Sequence, residues 1–169
     1  MGRPLRSSLP DGYFHVYSRG AGGGPVFADD ADRNSFLRLL TLSGQRQGWT
    51  CHAFTLLTTH YHLIVETTRD NLSAGLHGLN GRYARHFNSR HGRFGHVFAE
   101  RFSARLIESE AYLYDACAYV LVNPVRAGLC DRVEDWPWSY IAATVPTRSS
   151  RPASAPSRGR SRARLGWRS

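Results

Sequence analysis

The chain has 169 residues, 41% of them hydrophobic and 12% aromatic, which is enough for one domain with a real core. No apolar run approaches the roughly 20 residues that cross a bilayer, and the N-terminus lacks the apolar segment of a signal peptide, so a cytoplasmic, non-membrane protein is expected. The net charge is +9 and every basic residue is arginine; residues 1–140 carry 15 Arg against 13 acids, whereas residues 141–169 carry 7 Arg and no acid.

A nearly neutral body with a basic arm points to nucleic acid, because arginine binds phosphate bidentately and tolerates desolvation better than lysine. The three cysteines, Cys51, Cys117 and Cys130, are widely spaced and form no CxxC pair, which argues against a disulfide framework or a zinc knuckle. Three segments follow from composition: a flexible N-terminus over 1–12, a folded domain over 13–142, and a disordered Ser/Arg/Pro/Gly tail over 143–169.

Residues 13–18 read as a first strand. The glycine-rich run after it matches neither GxGxxG nor GxxxxGK[ST], and it reads as a flexible turn. Asp29 or Asp30 caps a helix to about Gln47, with Phe36, Leu37, Leu39, Leu40 and Leu42 as its apolar stripe and Gly48 as its stop. Residues 50–57 and 60–66 form two strands joined by the short Thr58-Thr59 link. A second helix starts at Asn71 or Ser73 and runs to about Asn88. Its residues Leu72, Leu76, Leu79, Tyr83 and Phe87 recur at helical spacing.

Residues 89–100 form a loop in which arginines alternate with aromatics. That pattern suits a nucleic-acid groove, with charge for phosphates and rings for bases, and it equally suits a loop with buried rings. Residues 101–107 read as a fourth strand. Ser109 caps a third helix to about Val122, closed by Asn123-Pro124. The aromatic cluster at 136–140 is expected to pack back on the body. The order β-α-β-β-α-β-α matches, in its first six elements, the ferredoxin-like split βαβ plan: a four-stranded antiparallel sheet with two helices on one face, plus an extra C-terminal helix.

Two stretches carry chemistry. His60 and His62 sit two apart in a strand, so they share a face, with Tyr61 and Leu63 on the other. Two imidazoles on one face can hold a divalent metal, or can be unrelated strand residues. Tyr119 and Asn123 lie one turn apart on the third helix, so a phenol and a carboxamide share a face there; a buried core role for Tyr119 fits the same spacing.

His60-Tyr61-His62, then Arg82-Tyr83-Ala84-Arg85-His86-Phe87-Asn88, Gly92-Arg93-Phe94-Gly95, Arg101-Phe102, and the segment from Tyr119 through Asn123-Pro124-Val125-Arg126-Ala127-Gly128 together resemble the single-tyrosine HUH transposases. The resemblance is to their REP-associated branch, within the IS200-like transposases, and it spans residues 13–140. The sequence departs from that pattern at Thr58-Thr59, where the family usually has Pro-Asn, and at Phe98, where it has Trp.

The resemblance implies a metal-dependent enzyme that cleaves and rejoins single-stranded DNA near hairpins through a covalent 5′-phosphotyrosine. It implies Tyr119 as the catalytic nucleophile and His60, His62 and Asn123 as ligands of Mg²⁺ or Mn²⁺. Single-stranded or hairpin DNA is the implied partner, and the protein would act as a monomer or homodimer. Arg82, Arg85, Arg93, Arg101 and Arg105 are candidate phosphate contacts. Two other readings fit the residues: a non-catalytic nucleic-acid-binding domain of the same fold, and a phosphoesterase that uses the His pair with water.

Deleting the basic tail from Thr147 should weaken binding to all DNA sequences alike and flatten the salt dependence measured by fluorescence anisotropy. A changed sequence preference after truncation would contradict a nonspecific role.

Overall fold

The computed structural model describes residues 12–69 and 71–143. Nearly all of the expected N-terminal segment and basic tail lies outside these residues. The described elements are β1 (Gly12–Arg19), α1 (Asp30–Gln47), β2 (Trp49–Leu56), β3 (His60–Thr67), α2 (Leu72–His91), β4 (Ser103–Ile107), α3 (Glu110–Arg126) and β5 (Ser139–Ile141).

The sheet is fully antiparallel, in the order β4-β1-β3-β2-β5. The first four strands give the split βαβ order expected from the sequence, and the expected α+β class holds. The sheet has five strands rather than four, however, because residues after the Trp136-Pro137-Trp138 cluster pair with the outer edge of β2. A three-residue strand has too short an alternation to announce itself in sequence. It forms because its neighbours anchor it: the Leu56 N–H donates to the Trp138 carbonyl at 2.9 Å, and Trp136 Nε1 donates to the Leu56 carbonyl at 3.2 Å.

Strand alternation divides the sheet's two faces. Phe14, Val16, Tyr61, Leu63 and Val65 point into one core with Phe36 and Leu40 of α1 and Leu72, Leu76, Leu79, Tyr83 and Phe87 of α2. The α2 stripe is therefore buried as its spacing requires. On α1 the stripe is narrower than expected, and Leu42 is 51% exposed. Ala53, Ile64 and Ile107 point the other way, against Leu113, Ala116, Cys117 and Val120 of α3. The third helix thus covers the face that α1 and α2 leave open.

Three local features differ from the sequence reading. The glycine-rich run is a tight hydrogen-bonded turn, not a slack one. Gly20 N–H donates to the Thr59 carbonyl at 2.7 Å and Ala21 N–H to the Val97 carbonyl at 2.9 Å. A Cβ on Gly20 would lie 2.0 Å from the Gly24 carbonyl oxygen, so the close return of the chain requires glycine there. Strand β4 starts at Ser103, which leaves Arg101 in the preceding loop.

Helix α3 continues through Pro124 to Arg126 instead of stopping at residue 122. Proline lacks the N–H for one helical bond and crowds the preceding turn. Here the Asn123 side chain donates Nδ2–H to the Tyr119 carbonyl at 2.7 Å, and Ala127 N–H donates to the Asn123 carbonyl at 2.9 Å, so the last turn stays bonded. Among the described residues no helix is long and apolar enough to cross a membrane.

Because Leu63 fixes β3 in the α1–α2 core, Leu63→Ala should cost about 2–5 kcal/mol in urea unfolding. Tyr61→Phe, which loses only a 2.7 Å hydrogen bond from the Tyr61 hydroxyl to Asn80 Oδ1, should cost about 1 kcal/mol. A negligible effect of Leu63→Ala would refute this anchoring.

Candidate functional site

The site is built on the α3 face of the two central strands. His60 and His62 alternate with Tyr61 and Leu63, and burial of the latter pair turns both imidazoles to that face. Their ring centroids are 5.2 Å apart. Strand β1 runs antiparallel beside them, with Tyr17 opposite His62. The Tyr17 ring lies 4.9 Å from that of His62 and 5.7 Å from that of His60.

His15, one step along β1 on the same face, stacks on His62 at 5.1 Å. Its Nε2 is hydrogen-bonded to His62 Nδ1 at 3.0 Å in a buried contact. His60 Nδ1 is bonded to the Thr59 hydroxyl at 3.0 Å. Both rings are thus held through Nδ1, which leaves Nε2 of each as the nitrogen able to act as a donor atom. A metal-bound histidine is ordinarily oriented by a bond at its second nitrogen in this way.

Helix α3 brings Tyr119 to the same place. Its ring meets His15 edge-on at 5.8 Å and His62 edge-on at 5.6 Å. Asn123 is buried, and the bond from its Nδ2 to the Tyr119 carbonyl commits its amide nitrogen and leaves Oδ1 as the acceptor. The extra turn of helix past Pro124 carries Arg126 back over Tyr119, with Cζ 5.5 Å from the ring centroid.

Burial sets the charge state of the imidazoles. Desolvation, and secondarily the charge of Arg105, pushes His15 down to about 4. Desolvation lowers His60, and desolvation together with His15 and His60 lowers His62 further. Neutral imidazoles are what a metal ligand requires. Burial raises the Tyr17 phenol.

The donor set fits a divalent ion only in a particular way. Among the described residues no three His, Cys, Asp or Glu side chains converge to hold a metal. Two imidazole nitrogens and the Asn123 amide oxygen, if they acted together, would form an uncharged set in need of phosphate oxygens or water as further ligands. Imidazole nitrogen also favours a transition ion such as Mn²⁺ over the oxygen-seeking Mg²⁺.

The five candidate arginines are not gathered at this site. Arg105 pairs in register with His15 on β4 and faces it. Arg82 donates to the Gly78 carbonyl at 3.2 Å and to Ser43 Oγ at 3.1 Å, tying α2 to α1 on the opposite side of the sheet. Arg85 is exposed on α2, Arg93 is exposed with its guanidinium 5.5 Å over Phe87, and Arg101 lines a groove between α2 and residues 95–102. Tyr83 is fully buried in the α1–α2 core, with its hydroxyl donating to the Val26 carbonyl. His15, Tyr17 and Arg126 were not singled out from the sequence. The period-two run Tyr13-His15-Tyr17 was the available signal, but only the β1–β3 register makes it meaningful.

No protein-family profile matches the chain, and no curated protein matches it. Among solved structures, a REP-associated tyrosine transposase bound to a REP hairpin is similar with a TM-score of 0.69, at 17% identity over 82% of each chain. A candidate transposase from Deinococcus radiodurans R1 is similar with a TM-score of 0.49, at 14% identity over 80% of this chain and 96% of that one. The first likeness shows that this chain shares the fold of that protein; the second is too distant in shape to carry an argument.

The depressed histidines predict a pH dependence of stability. Between the ordinary histidine range near 6.5 and about 4, the unfolded chain binds protons that the folded one does not, so stability falls as pH drops through that window. Urea midpoints should decline from pH 7 to pH 4.5, and His15→Gln should flatten the decline. A midpoint unchanged over that range would contradict the buried neutral state.

Proposed function

We propose that this protein is a REP-type tyrosine transposase that cleaves and rejoins single-stranded DNA beside hairpins, with Tyr119 as nucleophile. The observation that carries this reading is the convergence on one sheet face of Tyr119 with the His60–His62 pair, from segments far apart in the sequence. It is supported by the shared fold with a transposase whose structure holds a REP hairpin.

In this reading the Tyr119 phenolate oxygen attacks the phosphorus of the scissile phosphodiester. An O–P bond forms to tyrosine, the bond from phosphorus to the 3′ oxygen breaks, and the departing oxygen takes up a proton to become a free 3′-hydroxyl. The phosphodiester energy stays in the tyrosyl ester, so a 3′-hydroxyl can reverse the step without another energy source. Arg126 offsets the charge of the phenolate it overlies. Arg105 adds positive charge on the same face. His60, His62 and Asn123 would hold a divalent ion, with Mn²⁺ or Mg²⁺ as candidates; once bound, it would polarise a phosphoryl oxygen. His15 and Thr59 orient the two imidazoles and enter no bond-making step.

Tyr17 is the nearest rival nucleophile, because it also touches both histidines. Burial raises its phenol, which disfavours the phenolate that attack requires. Tyr83 lies on the wrong side of the sheet. A non-catalytic DNA-binding role is favoured by one observation, the lack of a three-residue His/Cys/Asp/Glu cluster among the described residues; covalent chemistry separates it from the catalytic reading.

Incubation with a hairpin oligonucleotide carrying single-stranded flanks and Mn²⁺ should yield a protein–DNA adduct stable to denaturation. Tyr119→Phe should abolish the adduct and retain binding, whereas Tyr17→Phe and Tyr83→Phe should keep it. His60→Ala and His62→Ala should each reduce adduct formation by at least about 100-fold. Adduct formation by Tyr119→Phe, or by wild type in EDTA, would overturn the assignment. A wild type that binds hairpin DNA but never forms an adduct would favour the non-catalytic role.

A further inference from the structure

Phe94 is 97% exposed. A single exposed apolar residue is ordinary on a protein surface, but this one sits in a loop built to hold it there. Helix α2 ends at Gly92, whose left-handed backbone (φ 59°) turns the chain out, and Gly95 (φ 87°) turns it back. Asn88 closes the loop from both sides: its carbonyl accepts the Arg93 N–H at 2.9 Å, and its side-chain Nδ2 donates to the Gly95 carbonyl at 2.8 Å. The residues flanking Phe94 are therefore pinned, while the ring between them is in solvent. Hydrophobic residues just past such a helix stop usually fold back onto the helix. Here the Arg93 guanidinium takes that place over Phe87.

The surroundings are basic. Between residues 89 and 101 the chain has Arg90, Arg93 and Arg101 against the single acid Glu100. Arg90 is occupied by Asp29 and Asp32, whereas Arg93 and His96 are exposed. The loop also ends beside the candidate site. Phe98 bridges to Gly20, and Ala99 N–H donates to the carbonyl of Arg19, the residue opposite His60 in the β1–β3 register. Phe94 is four positions before Phe98, so its backbone lies within about 14 Å of that junction.

We propose that Phe94 is a base-stacking platform: its ring receives an unpaired nucleobase of the DNA strand that passes the His60 end of the sheet, with Arg93 contacting an adjacent phosphate. An exposed ring on a pinned backbone beside an arginine is the chemistry that recognises single-stranded nucleic acid without reading its sequence. Preordering also lowers the entropic cost of binding. The proposal rests on the DNA-processing reading above and adds to it a strand-holding contact outside the candidate catalytic residues.

The test uses the full chain in EDTA, so that binding is measured without cleavage. The probe is a DNA hairpin with mixed-sequence single-stranded arms, carrying 2-aminopurine at each arm position in turn. Wild type should quench the probe at one or two arm positions. Phe94→Ala should remove that quenching and weaken binding on the order of tenfold; Phe94→Trp should preserve both. Circular dichroism should be unchanged in either variant, since the side chain touches no core residue. Wild-type binding with unaltered affinity and quenching in Phe94→Ala would overturn the stacking role and leave the DNA-processing reading standing. A wild type that binds neither hairpin nor single strand would overturn both.

Discussion

Strand β3 has to satisfy two environments at once, and the rest of the molecule follows from how it does so. One side presents Tyr61, Leu63 and Val65 to a dry core under α1 and α2. The other presents His60 and His62 to α3. A shift of register by one residue would bury both imidazoles in the aliphatic core and expose the residues that hold the sheet together. The apolar side therefore acts as the positioning device for the polar side.

The polar face is organised by hydrogen bonds rather than by charge. His15 holds His62, and Thr59 holds His60, each through Nδ1. Thr59 belongs to the turn that stands where the transposases this sequence resembles usually have Pro-Asn, and its hydroxyl supports His60. The same turn is pinned by backbone bonds from Gly20 to Thr59 and from Val26 and Phe27 to Thr58. Burial disfavours protonation of these imidazoles, at a cost in stability at low pH. Helix α3 completes the face because it does not stop at Pro124. The Asn123 amide bonds back to the Tyr119 carbonyl, and the added turn swings Arg126 over the tyrosine.

Much of this was legible in the sequence because it depends on local periodicity. The alternation in His60-Tyr61-His62-Leu63 and the four-and-three spacing along α2 each specify a face without knowledge of the partner. The buried place of Tyr83 follows from that spacing as well. What was not legible depends on pairing between distant segments. His15 and Tyr17 become site residues only through the β1–β3 register, and Arg82 is tied to α1 only because Ser43 lies within reach. Helix α3 passes through Pro124 against a strong local preference, with its last turn bonded by Asn123 and Ala127. Strand β5 exists because two tryptophans anchor it, not because its three residues favour extension.

His60 and His62 are proposed to form a divalent-metal site, with His62 oriented by His15 of β1 and His60 by Thr59. Pulsed electron paramagnetic resonance on the full-length protein with added Mn²⁺ tests it most directly, since coordinated imidazole gives nitrogen-14 couplings that hydrated Mn²⁺ lacks. Wild type should show such couplings, the double variant His60→Ala/His62→Ala should lose them, and His15→Gln should bind Mn²⁺ roughly 10- to 100-fold more weakly. Wild-type protein without nitrogen couplings, or couplings that survive removal of both histidines, would contradict it.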